Sequence, residues 1–163
     1  MKTIFIIRHA KSDYGPQYPT DFDRSLNARG RRDAAMMAVE LKKVTPRLDQ
    51  VLVSSARRTQ ETAHFFLTEF QVNDDRVTYD RNLYLPAEKD IWDALQRVND
   101  EASNVALISH NPAVESILHR YHPGEKLPTC SILELHFDGL SWKDVNPDKV
   151  RFISHKYPSM YAK

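Results

Sequence analysis

Glycine is scarce in this 163-residue chain, with four in all. Four leave no room for GxGxxG or GxxxxGK, so dinucleotide fingerprints and Walker phosphate loops are excluded. Cysteine is scarcer still. Cys130 stands alone and cannot close a bridge within the chain, which excludes a disulfide scaffold and makes a reducing, cytoplasmic compartment the expectation. No charge of either sign dominates: Lys+Arg 23 against Asp+Glu 22 gives +1, no basis for a nucleic-acid platform. Long apolar runs are missing too. The run Ile4 to Ile7 stops at Arg8, far short of the roughly 20 residues of a membrane span, and no signal peptide fits. Seven histidines contain no HxH or HExxH pair, so neither a metal site nor a cofactor is expected. What is left is a monomeric, single-domain protein over residues 1–163, long enough to fill a core.

Lys2 to Ile7 is a continuous β-branched run and reads as a strand buried on both faces. Asp13 to Asp23, with Gly15, Pro16 and Pro19, reads as a long loop. Asn27 is a good N-cap for a helix whose Ala34, Met37, Ala38, Leu41 and Val44 share one face until Pro46. Val51 to Val53 gives a second strand, ending at Ser54 and Ser55. Ala63, Phe66, Leu67 and Phe70 mark a second helix. Ile91, Leu95, Val98 and Ala102 mark a third, and Val105 to Ile108 a third strand, with Pro112 opening a further helix. Ile132 to Phe137 alternates, and Asp138-Gly139 reads as a turn before Trp142. Strands alternating with helices predict a three-layer α/β fold around a largely parallel sheet.

Ligands of such sheets sit at the carboxyl ends of the strands. The first strand delivers Arg8 and His9 there, the second leads to Arg58, and the third delivers Ser109, His110 and Asn111. Two arginines and two histidines at one sheet edge suit a tetrahedral oxyanion such as phosphate. A neutral imidazole also accepts a phosphoryl group, and neighbouring guanidiniums keep it neutral.

These residues resemble a family. Arg8-His9-Ala10-Lys11-Ser12 after a buried strand is similar to the RHG/RHA signature of the histidine phosphatase superfamily. Asp23-Arg24-Ser25-Leu26-Asn27 with Arg29-Gly30, then Ser54 to Arg58 with Thr62-Ala63, then Ser109 to Pro112, resemble its SixA-type phosphohistidine phosphatases. The resemblance implies a phosphoglycerate-mutase-like fold, His9 as nucleophile, Arg8 and Arg58 as phosphate clamp, and His110 touching the transferring group. Ser109 stands where glycine is commoner, and Ser55 where proline is usual. The implied activity is metal-independent hydrolysis of a phosphoryl group, from a protein histidine or, alternatively, a small phosphorylated metabolite. A non-catalytic phosphohistidine-binding module is the reading outside enzymes.

Other residues carry plainer expectations. Arg24 is either a substrate-binding rim residue or an ion-pair partner of Asp21 or Asp23. Lys11, Arg31, Arg32 and Arg57 read as surface charges, and Trp92 and Trp142 as packing residues. His64, His119, His122, His136 and His155 read as surface or satisfied side chains. Asp21, Asp23 and Glu88 are the carboxylates open to a general-acid role. Asp21 to Ser25 imitates the DxDx[ST] motif of aspartyl-phosphate phosphatases, but a Pro-rich loop precedes it instead of the strand that motif needs.

Overall fold

The computed structural model describes residues 1–162. Ten principal elements follow one another: β1 (Lys2–Arg8), α1 (Ala28–Val44), β2 (Gln50–Ser54), α2 (Arg57–Glu69), β3 (Val77–Asp80), α3 (Glu88–Gln96), β4 (Asn104–Ser109), α4 (Ala113–His119), β5 (Ile132–Phe137) and β6 (Val150–Lys156). The strands form one sheet in the order β3-β2-β4-β1-β5-β6. Neighbours from β3 to β1 run parallel, while β5 is antiparallel to both β1 and β6.

The strand period of two divides the core between the two faces of this sheet. Ile4 and Ile6 of β1 join Val105, Leu107, Leu133 and Leu135 against Ile91, Leu95, Val114 and Ile117 of α3 and α4. Phe5 and Ile7 join Val51, Val53, Ala106 and Ile108 against Met37, Leu41, Ala63 and Phe66 of α1 and α2. The α/β, three-layer, largely parallel reading is what the chain forms. Asn27 caps α1 as expected, its side chain accepting from the Gly30 N–H at 2.8 Å.

Four details differ from the sequence reading. The third helix ends at Gln96, and Val98 and Ala102 are buried from the turns that follow. Val44 is half exposed at the end of α1. Two strands, β3 and β6, lie where no element was anticipated. Finally, Asp138-Gly139 does not make a tight hairpin, because residues 138–149 intervene before β6 and carry two 3-10 turns.

The loop between β1 and α1 closes on itself at its base. Ser12 and Leu26 form an antiparallel bridge, and the Asn27 N–H donates to the Lys11 carbonyl at 3.0 Å. Gly30 packs against that same carbonyl, and a Cβ there would lie 2.0 Å from the Lys11 oxygen. Backbone cannot yield as a side-chain tip can. Gly30→Ala is therefore expected to destabilise the fold by about 1–3 kcal/mol, read as a lower denaturant midpoint with an unchanged slope.

Candidate active site

Sheet register builds the site. Arg8 of β1 pairs with Ser109 of β4, so His9 and His110 leave two adjacent strands at the same level. Their ring centroids are 5.2 Å apart, and both side chains are buried. Next to β4, β2 ends at Ser54 and α2 begins at Arg57. Arg58, on the inward side of the first turn, is 2% exposed, while Arg57 faces solvent and pairs with Glu61. One turn on, Thr62 ties the elements together. Its hydroxyl accepts from the Ala10 N–H at 3.0 Å and donates to the Arg58 carbonyl at 2.7 Å.

The hydrogen bonds of His9 define its tautomer. Nδ1 lies 2.7 Å from the Ala10 carbonyl. A carbonyl only accepts, so Nδ1 carries the proton and Nε2 holds the lone pair. Arg58 Nε donates to that Nε2 at 3.3 Å, and Arg58 Nη2 lies 3.3 Å from His110 Nδ1. Since arginine only donates, His110 Nδ1 accepts here and its Nε2–H donates to Ser54 Oγ at 2.8 Å. Donation by His110 to a bound oxyanion requires the opposite tautomer. Ser54 permits it, because a hydroxyl can reverse and donate to Nε2.

Both imidazoles are held neutral. Burial lowers His9 well below the ordinary histidine value, with His110, Arg58 and Arg8 adding to the effect against the Ala10 bond. Burial also lowers His110, to about 3, and Arg58 reinforces it while Asp21 opposes. Desolvation leads in each case; Arg58 comes second at His110, whereas at His9 the opposing Ala10 bond and the His110 ring precede the guanidiniums. Arg8 holds the Leu127 carbonyl through Nη1 at 2.9 Å, and its Nε is buried without a partner among the described residues.

The sequence model of the histidine phosphatase superfamily (branch 1) matches residues 4–83. Protein ML1117 of Mycobacterium leprae, itself uncharacterised, is 31% identical over 166 residues, 93% of this chain and 99% of that protein. The chain belongs to the histidine phosphatase superfamily. Its fold is shared with SixA from Agrobacterium tumefaciens at a TM-score of 0.80 and 23% identity, over 96% of this chain and 98% of that one. It is likewise shared with the protein histidine phosphatase SixA complexed with tungstate: TM-score 0.80, 22% identity, 98% of this chain and 99% of that one.

Within this histidine phosphatase, the four residues singled out from the sequence occupy one edge of the sheet, and three of them, His9, Arg58 and His110, are in direct contact. Arg24 stands apart from these contacts. It is buried and turned inward, with Nε 2.9 Å from Asp21 Oδ1 and Nη1 bonded to Ser12 Oγ at 2.8 Å. The ion pair with Asp21 that the sequence allowed for is present. Lys11 is exposed, and Glu88 is engaged by Arg120 and the Trp92 indole. Asp23 accepts from Thr20.

Two site residues went unread in the sequence. Tyr84 stands with its ring edge-on to His110, centroids 5.5 Å apart, and its hydroxyl donates to Asp21 Oδ2 at 2.6 Å. Ser54 supplies the partner of His110. The five remaining histidines lie outside this cluster. Among them His155 contacts Ser131 Oγ at 3.0 Å and Glu125 at 3.6 Å. Ser131 is completely buried, so that Ser-His-Glu grouping has no route to a substrate.

Proposed function

We propose that this histidine phosphatase hydrolyses the phosphoryl group of a protein phosphohistidine through a covalent phospho-His9 intermediate, without a metal ion. The observation that carries this reading is the His9 Nδ1–H bond to the Ala10 carbonyl, which leaves the Nε2 lone pair facing Arg58. Nε2 attacks phosphorus, and the substrate imidazole leaves with the P–N electron pair. A proton on its distal nitrogen makes that leaving group neutral. Arg58 and Arg8 offset charge on the equatorial oxygens, and His110 in its Nδ1–H tautomer donates to one of them. Water then attacks the phosphoenzyme. His9 departs as neutral imidazole because Nδ1 has kept its proton throughout, and both protons of the water end on phosphate.

The carboxylate beside the clamp is an ionised one, which suits a nitrogen leaving group better than an alkoxide that needs a proton. Among the described residues Asp21 is the one carboxylate bonded to Arg58. Partial burial raises it, but bonds from Tyr84, Arg58 and Arg24 prevail and hold it at about 2, ionised at neutral pH.

The test compares a phosphohistidine protein, phosphoserine peptides and small phosphate esters side by side in excess EDTA. Highest turnover is expected with the phosphohistidine protein, unaffected by the chelator. Preference for a small ester would assign a metabolite phosphatase, and tight binding without turnover a binding module. Loss of activity on chelation, restored by Mg²⁺, would point instead to aspartyl-phosphate chemistry at Asp21 or Asp23.

A further inference from the structure

Arg58 has two edges, and they face different partners. Its Nε and Nη2 face His9 and His110, each at 3.3 Å. Its outer end is held by one residue twice: Nη1 donates to the Asp21 carbonyl at 2.8 Å, and Nη2 to Asp21 Oδ2 at 3.0 Å. Asp21 is itself fixed from two other directions, by Arg24 on Oδ1 and by Tyr84 on Oδ2. A guanidinium is a rigid planar fork, so gripping its end fixes where its side points. We propose that Asp21 is a positioning residue, which orients Arg58 so that its Nε–Nη2 edge receives the phosphoryl oxygens, and that Tyr84 locks Asp21 in that attitude.

The proposal rests on the clamp role given to Arg58 above. It answers an electrostatic puzzle, because a carboxylate beside a site for a phosphoryl dianion repels the ligand through space. If charge were the whole of its influence, removing it would tighten anion binding. If it orients the clamp, removing it weakens binding. The two roles therefore predict opposite signs.

The experiment measures inorganic phosphate affinity by calorimetry, and the titration of His9 and His110 by NMR, in the wild type, Asp21→Ala and Tyr84→Phe. In Asp21→Ala the phosphate Kd should rise at least tenfold. His9 and His110 should titrate at higher pH, because Arg58, left with only the main-chain carbonyl of residue 21, pivots about that single bond and its charge bears less on them. Tyr84→Phe should move both readouts in the same direction by a smaller factor, about threefold in Kd. Unchanged or tighter phosphate binding, with His110 titrating at the same or lower pH, overturns the proposal. If Asp21→Ala does not fold, Asp21→Asn reads the same two signs, since its amide sets an N–H donor against Arg24 or Tyr84. A wild type that binds no phosphate would defeat the proposed function and overturn this proposal with it. Phosphate binding that weakens in Asp21→Ala, in a protein that prefers a small phosphate ester, would instead defeat that function and leave the positioning role standing.

Discussion

His9→Ala is expected to abolish turnover, a loss on the order of 10⁴-fold or more, and to abolish the phosphoenzyme with it. His9 Nε2 has a lone pair because Nδ1 is committed to the Ala10 carbonyl, whereas in the Nδ1–H tautomer that donates to a phosphoryl oxygen, the lone pair of His110 is on Nε2 and turned to the Ser54 hydroxyl. His110 is positioned by its neighbours to touch oxygens, so it is no substitute nucleophile. Acid-quenched wild type should carry acid-labile, base-stable phosphate on His9, as an N–P bond requires. His110→Ala should slow turnover and retain some label. The His9 variant keeps Arg8 and Arg58, so phosphate binding should survive and show that the loss is chemical. Full activity in His9→Ala, or label on Asp21 or Asp23, would sink the mechanism.

Arg58→Ala should cut turnover by about 10² to 10³ and weaken vanadate binding, as for removal of a preorganised charge-stabilising donor. Arg58→Lys should recover little of this. An ammonium is a single point of charge and cannot hold Asp21 at one end while presenting a side edge to two histidines. Arg57→Ala should change turnover less than about twofold, since Arg57 points to solvent and pairs only with Glu61. An essential Arg57 with a dispensable Arg58 would mean that the inward side of the α2 first turn has been misassigned.

The parts of this fold that bury apolar surface in a regular period were legible in the sequence. β1, β2 and β4 are nearly continuous aliphatic runs because helices cover both of their faces. Residues following such runs fall at the carboxyl edge, which is why Arg8, His9 and His110 could be placed together before any coordinates. β3 and β6 left no such trace. Both are edge strands, with Thr78, Tyr79 and Arg151 exposed and Ile153 turned 40% to solvent, so little of their sequence is under pressure to be apolar. Asp21 and Tyr84 escaped for another reason. They meet across 63 positions, from two irregular segments without a period. Asp21 was legible as a local partner for Arg24, three residues away, and as a carboxylate open to a general-acid role, but not as a partner of Arg58. Its grip on Arg58 depends on how the loop folds back over α2, which no spacing encodes.

Sheet order has a consequence for how the molecule is made. β1 leads directly into His9, the proposed nucleophile, and is the first strand in the sequence, yet its two neighbours are β4 and β5. Neither exists until Asn104 and beyond has been synthesised. A nascent chain that has emerged only as far as residue 83 holds His9 and Arg58 but offers β1 no strand to pair with. The central pairings close loops of roughly a hundred residues, and such closures come late because their entropy must be overcome before their contacts form. The constellation around His9 is thus a product of the last stages of folding, so unfinished or truncated chains display the motif without the chemistry.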